Sequence, residues 1–196
     1  METIVFRIGN EKEKKNVLLS LTNIIPECTR DTSILFAVQN DLYLEVRNLD
    51  SSYFEGLVCD EILYVPYEKE EDFSKAVRDA IPDIYRTLFV IDSSHIVQYG
   101  AIREMRLSFS EGHFGFIGNT LEDTYIKFLD VYGGDNELAK IGKEERQIVD
   151  CILNATFVTS RQNFDYYDSM FFFAQRLRQL GFLNVLNKNI PIVGGK

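Results

Sequence analysis

Asp92 closes an unbroken apolar run, Leu88 to Ile91, and is followed by Ser93, Ser94 and His95. A carboxylate at the end of a buried strand can hold a divalent cation and, through it, a phosphate, because hard cations take oxygen ligands. Two further polar groups close apolar runs: Arg7 to Asn10 at the end of Thr3 to Ile8, and Asn40 with Asp41 after Ser33 to Val38. In a parallel α/β sheet, ligands collect outside the carboxyl ends of the strands, so all three groups would open on one edge. Each also reads as a turn or a helix cap, since Asn, Asp and Ser favour both. His95 reads either as a further ligand to Mn²⁺ or as a hydrogen-bonded surface group at a helix start.

The elements that must position these residues follow from periodicity. Thr3 to Ile8 is a short apolar strand, and Val17, Leu18, Leu21, Ile24 and Ile25 recur at helical spacing until Pro26 interrupts them. Ser33 to Val38 and Ile62 to Val65 read as the second and third strands, while Asp41 to Glu61 is too irregular to assign. Between Glu70 and Tyr85, Phe73, Ala76, Val77, Ala80 and Ile81 form a helix face that leads to the strand Thr87 to Ile91. That strand is continuously apolar, which predicts a central parallel strand covered by helices on both faces. A helix is expected directly after His95.

The second half changes character. Phe114 to Ile117 reads as a strand, and Leu121 to Tyr132 as a loop or acceptor-side region ended by the turn Gly133 to Asn136. Glu137 to Val149 is predicted helical, Ile152 to Thr159 a strand, and Asp168 to Leu180 a helix stopped by Gly181, with Met170, Phe173, Ala174, Leu177 and Leu180 facing the core. Phe182 to Ile192 supplies a last strand. The expectation is therefore one α/β domain over residues 1–196, with a mixed, mostly parallel sheet and helices on both faces.

Composition narrows the function classes. A chain of 196 residues with 45% hydrophobic and 26% charged residues is ordinary for one globular domain. With 21 basic against 30 acidic residues, a net charge of −9 and no basic run beyond Lys12 to Lys15, nucleic acid is not an expected partner. Cys28, Cys59 and Cys151 are widely spaced and odd in number, so free thiols and a reducing, cytoplasmic setting are expected. No signal peptide and no apolar run long enough to span a membrane is read in the sequence.

Two stretches carry a resemblance. SKAVRDAIPDIYRTLFVIDSSHIVQYGAIREM (Ser74 to Met105) resembles the middle of a family-2-type glycosyltransferase of the GT-A fold: an Arg-bearing helix, a hydrophobic strand, an aspartate motif and a short helix. ILNATFVTSRQNFDYYDSMFFFAQRLRQLGF (Ile152 to Phe182) resembles that family's acceptor-side strand, its GGFDE turn at Asn163 to Asp165, and its acidic helix ending at Arg176 to Gly181. The compact, acidic, tryptophan-free chain also resembles an archaeal-virus member of this fold, for which the compartment would be the host cytoplasm.

The resemblance implies a Rossmann-like GT-A fold. Residues 1–105 would bind a nucleotide-diphosphate sugar, and residues 106–196 would face a glycan, lipid or protein acceptor. It implies Asp92 as ligand of Mn²⁺ or Mg²⁺, with Arg7, Asn10, Asn40, Asp41, Arg78 and Ser94 around the donor. Asp168 would be the base that deprotonates the acceptor hydroxyl, with Asp165 and Asp150 as alternatives. The family's paired carboxylates read Asp92-Ser93-Ser94 here, so only the first survives. One carboxylate suffices for such a cation when diphosphate oxygens and water complete the shell.

Each role has a competitor. Asp168 stands where a helix N-cap belongs. A receiver-like or phosphohydrolase-like domain would make Asp92 a phosphoacceptor, although the first strand then lacks its acidic partners. A transferase fold that only binds a protein partner is the third reading.

Overall fold

The computed structural model describes residues 1–82, 84–110, 112–132 and 134–195, with every side chain among them except that of Glu70; Gly133 of the expected turn lies outside the described residues. In chain order the elements are β1 (Glu2–Ile8), α1 (Glu11–Ile24), β2 (Thr32–Gln39), α2 (Tyr43–Arg47), β3 (Ile62–Tyr67), α3 (Phe73–Ala80), β4 (Thr87–Ile91), β5 (His95–Val97) and α4 (Ala101–Ser110). They continue with β6 (Phe114–Asn119), β7 (Thr124–Phe128), β8 (Asn136–Lys140), β9 (Arg146–Val149), β10 (Thr156–Ser160), α5 (Arg161–Phe164), α6 (Met170–Gln179), β11 (Leu183–Asn187) and β12 (Ile192–Gly194).

Eight strands form one sheet in the order β3-β2-β1-β4-β10-β6-β11-β9. The first four are mutually parallel, β10 is antiparallel to both β4 and β6, β11 is parallel to β6, and β9 closes the edge antiparallel. Alternation along each strand divides the core between the two faces. Ile4, Phe6 and Ile8 pack with Val17, Leu21 and Ile24 of α1 and with Ile102 and Met105 of α4. Val5, Leu35 and Ala37 pack on the opposite face with Val77 of α3 and with Phe173, Ala174 and Leu177 of α6. From β1 the chain winds through β2 and β3 to one side, then returns to place β4 on the other. The gap outside the carboxyl ends of β1 and β4 is thus the topological switch point, where open α/β sheets bind ligands. This order also differs from the 2-1-3-4-5 arrangement of receiver-like domains.

Several expectations change. The segment Glu137 to Val149 is not helical: β8 pairs antiparallel with β7, and β9 pairs with β11. Its Glu, Leu, Ala and Lys residues favour helix, but intrinsic propensity is a weak force that cross-strand pairing overrides. Leu121 to Tyr132 holds β7 rather than a bare loop. No helix begins at His95, which instead opens β5, paired with β12, and α4 starts six residues later. The expected strand from Ile152 begins only at Thr156, because Asn154 adopts a left-handed conformation (φ 47°) that breaks an extended run. The expected last strand is divided into β11 and β12. Leu180 is 43% exposed at the end of α6 rather than in the core. Gly181 does end that helix, at φ 86°.

Candidate functional site

A cleft of about 430 Å³ lies at the switch point, and Arg7, Asp92 and Asp168 all line it. Arg7 comes from the end of β1, Asp92 from the residue after β4, and Asp168 from the loop between α5 and α6. The apolar part of its wall includes Phe73, Phe157 and Phe172. The Arg7 guanidinium stands over the Phe73 ring, 6.0 Å from its centroid.

Asp92 is held by its neighbours. Its Oδ1 accepts from both the N–H and the hydroxyl of Ser94, at 2.9 and 2.5 Å, and its own N–H donates to Thr156 Oγ1 at 3.2 Å. Ser94, where the resemblance would put a second acid, therefore donates to Asp92. Oδ2 has no hydrogen-bond partner among the described residues, so one carboxylate oxygen remains for a ligand. Among the described residues no group of three His, Cys, Asp or Glu side chains is placed to hold a metal ion. The donor set thus fits a hard cation only if most of its oxygen shell comes from substrate and water, as Mg²⁺ permits.

His95 is buried to 1% exposure, and its Nδ1 lies 3.0 Å from Thr156 Oγ1. Burial lowers its pKa below the ordinary value. It is not a surface group, and it does not line the cleft.

Asp168 is presented by a clasp. Arg78 Nη1 donates to the Tyr167 carbonyl at 2.7 Å, and Arg161 Nη2 donates to the Arg78 carbonyl at 3.2 Å. The Tyr167 ring stacks on Phe164 and Phe157, with centroids 4.9 and 6.0 Å apart. Arg78 thereby touches the backbone before Asp168 rather than the cleft. Asp168 is not the N-cap of α6: Ser169 is, accepting from the Phe172 N–H.

The remaining residues singled out in the sequence lie elsewhere. Asn10 caps α1, accepting from the Glu13 N–H at 3.0 Å. Asn40 lines a separate shallow recess with Tyr67, Asp72 and Lys75, and Asp41 is exposed in the turn after β2. Asp165 pairs with Arg161. Asp150 pairs with Arg178 at 3.0 Å and accepts from the Phe128 N–H at 3.0 Å, joining β7 to α6. Glu71, Asn154 and Phe172 line the cleft without having been singled out. Asn154 was hidden because Ile152 to Thr159 reads as one strand.

Cys28, Cys59 and Cys151 are free, and burial pushes the Cys28 and Cys151 thiols up to about 12. Among the described residues no helix is long and apolar enough to cross a membrane.

No family model matches the sequence, nor does any curated protein. Solved structures do match in fold. S. aureus TarS 1-349 in complex with UDP-GlcNAc superimposes with a TM-score of 0.58 at 11% identity, over 98% of this chain and 57% of that one. The same protein in complex with UDP gives 0.56 at 11% identity, over 98% and 59%. The 4-diphosphocytidyl-2C-methyl-D-erythritol synthase of Anaerococcus prevotii gives 0.55 at 9% identity, over 100% of this chain and 91% of that one. The chain spans little more than half of TarS 1-349. These likenesses establish a mixed α/β, GT-A or Rossmann-like fold, and at such identities they establish the fold alone.

Proposed function

We propose that this chain is a transferase acting on a nucleotide-activated sugar, with residues 1–105 binding the donor and residues 106–196 facing an acceptor hydroxyl. The observation that carries this reading is the convergence of Arg7, Asp92 and Asp168 on one cleft at the switch point of the sheet. The fold neighbours add support, since one was solved with UDP and with UDP-GlcNAc, and the other is named for a diphosphocytidyl product.

The chain's residues divide the work. Arg7 supplies positive charge beside the carboxyl end of β1, where the diphosphate of a donor would lie. Asp92, with Oδ1 fixed by Ser94, offers Oδ2 to a divalent cation that would neutralise charge on the leaving group. In the inverting case the acceptor oxygen bonds to the anomeric carbon as the bond to the diphosphate breaks, the diphosphate keeps that electron pair, and Asp168 takes the acceptor proton. Arg78 and Arg161 hold the backbone that presents Asp168.

A panel of nucleotide sugars, UDP-GlcNAc among them, tests the reading through transfer or slow donor hydrolysis. Replacing Asp168 with Asn is expected to lower turnover by about 10²–10⁴-fold, the usual contribution of a general base, while leaving donor affinity in place. Unchanged turnover would remove Asp168 from the role. The second reading is nucleotidyl transfer, favoured by the closer match in length to the A. prevotii synthase; release of diphosphate from a nucleoside triphosphate would identify it.

A further inference from the structure

The sheet stays open at one rung beside Asp92. Just past β10, Arg161 donates its N–H to the Arg86 carbonyl at 2.8 Å. Backbone groups alternate in direction along a strand, so Thr159 and Phe157 also face β4, with Phe157 opposite Val90. The same alternation aims the Ala155 N–H at the Asp92 carbonyl, and that bond is not made. The Asp92 carbonyl accepts from the His95 N–H at 3.0 Å, and the Asp92 N–H goes to Thr156 Oγ1 rather than to Ala155. Among the described residues the Asn154 and Ala155 N–H groups have no hydrogen-bond partner. Ala155 is only 6% exposed, and buried N–H groups are rarely left unpaired.

The two donors point the same way. Thr120 Oγ1 lies 2.9 and 3.2 Å from the Leu153 and Asn154 carbonyl oxygens. Both peptide bonds are trans, so each N–H points opposite to the carbonyl of its own unit. The Asn154 and Ala155 N–H groups therefore turn together away from Thr120. Asn154 has φ 47°, the one positive value for a non-glycine residue among the described residues, and successive N–H groups in such a turn form an anion-binding concavity. Its side chain is occupied elsewhere: Nδ2 donates at 2.9 Å to Glu122, which lines a neighbouring recess and not the cleft. Asn154 and Ala155 line the main cleft together with Arg7 and Asp92.

We propose that the Asn154 and Ala155 N–H groups bind a phosphate oxygen, so that this turn holds the donor's diphosphate beside Asp92. This rests on the transferase reading of the main cleft. Fixed backbone donors need no reorganisation as charge builds on a leaving group. They carry no net charge, and the Asp92 carboxylate across the open rung repels an anion, so binding at the pair requires a divalent cation as well.

The test uses the full ¹⁵N-labelled chain with Mg²⁺, which does not broaden resonances, titrated with UDP, CDP, GDP and ADP, and separately with pyrophosphate and with uridine. With at least one nucleoside diphosphate, the Asn154 and Ala155 amide protons are expected to move downfield and to couple to ³¹P across the hydrogen bond; uridine should leave them unmoved. Asn154→Gly and Asn154→Val both delete the bond to Glu122, but glycine accepts a positive φ and valine does not. Asn154 is exposed, so neither replacement reaches the core. Asn154→Val should weaken the diphosphate at least about tenfold, as losing a hydrogen bond to a charged group does, while Asn154→Gly stays near the wild type. Two amides unmoved by every phosphate compound overturn the proposal, even if a nucleotide binds elsewhere in the cleft and keeps the transferase reading alive. Equal weakening in the two variants overturns it too. Pyrophosphate coupled to both amides, with no nucleoside diphosphate bound, upholds the phosphate site and removes the transferase reading.

Discussion

Single residues in this chain do their work through hydrogen bonds that the sequence could not display. Arg78 was legible as an arginine on the helix before the aspartate motif, but its guanidinium reaches the Tyr167 carbonyl, 89 positions away. Replacing Arg78 with Ala should cost about 1–3 kcal/mol, the range for a hydrogen bond from a charged group with its partner left unmet. It should also speed amide exchange at Tyr167 to Ser169. The urea midpoint and exchange rates measure both; a stability loss without faster exchange there would deny the clasp. His95 gives a pH signature. Burial holds its pKa below the ordinary histidine value of about 6.5, so the unfolded chain takes up this proton first as pH falls. Its contribution to stability is therefore complete above that value and shrinks as the pH drops below it. The His95→Gln variant should lose less stability than the wild type between about pH 7 and 5, as read from urea midpoints; equal slopes would contradict the assignment.

At the scale of elements, continuous apolar runs and helical periodicity announced β1, α1, β2, β3, α3 and β4, because the first half repeats one strand-helix unit whose signals are local. The second half was less legible. β8 and β9 carry helix-favouring residues and exist through partners distant in sequence, and the left-handed Asn154 is invisible to periodicity. Asp92 could be placed at a strand end and Asp168 before a helix, yet their meeting depends on β10, whose antiparallel place between β4 and β6 has no local signal. One glycine marks how closely these strands pack: a methyl group at position 118 would stand 2.7 Å from both Phe157 Cβ and the Thr156 carbonyl oxygen. Gly118→Ala should therefore destabilise by about 1–3 kcal/mol, as overpacking does, and should perturb the Asp92 amide through Thr156. Thermal unfolding and amide shifts check this; a neutral substitution would mean that β6 and β10 can separate at no cost.

The whole molecule turns on where the sheet reverses. Eight strands with helices on both faces bury one core cluster under each face, and that scaffold leaves the switch point open beside Arg7, Asp92 and Asp168. An acidic surface with a net charge of −9 would repel a free diphosphate. Under the proposed function, local positive charge from Arg7 and from a cation at Asp92 would supply the attraction. Calorimetry with UDP, CDP, GDP and ADP, each with and without Mn²⁺, on the wild type and on Asp92→Ala, tests this most directly. Metal-dependent binding of at least one diphosphate, weakened at least about tenfold by Asp92→Ala, is the predicted result. Absence of binding for all four, or binding indifferent to both Mn²⁺ and Asp92, would contradict the account.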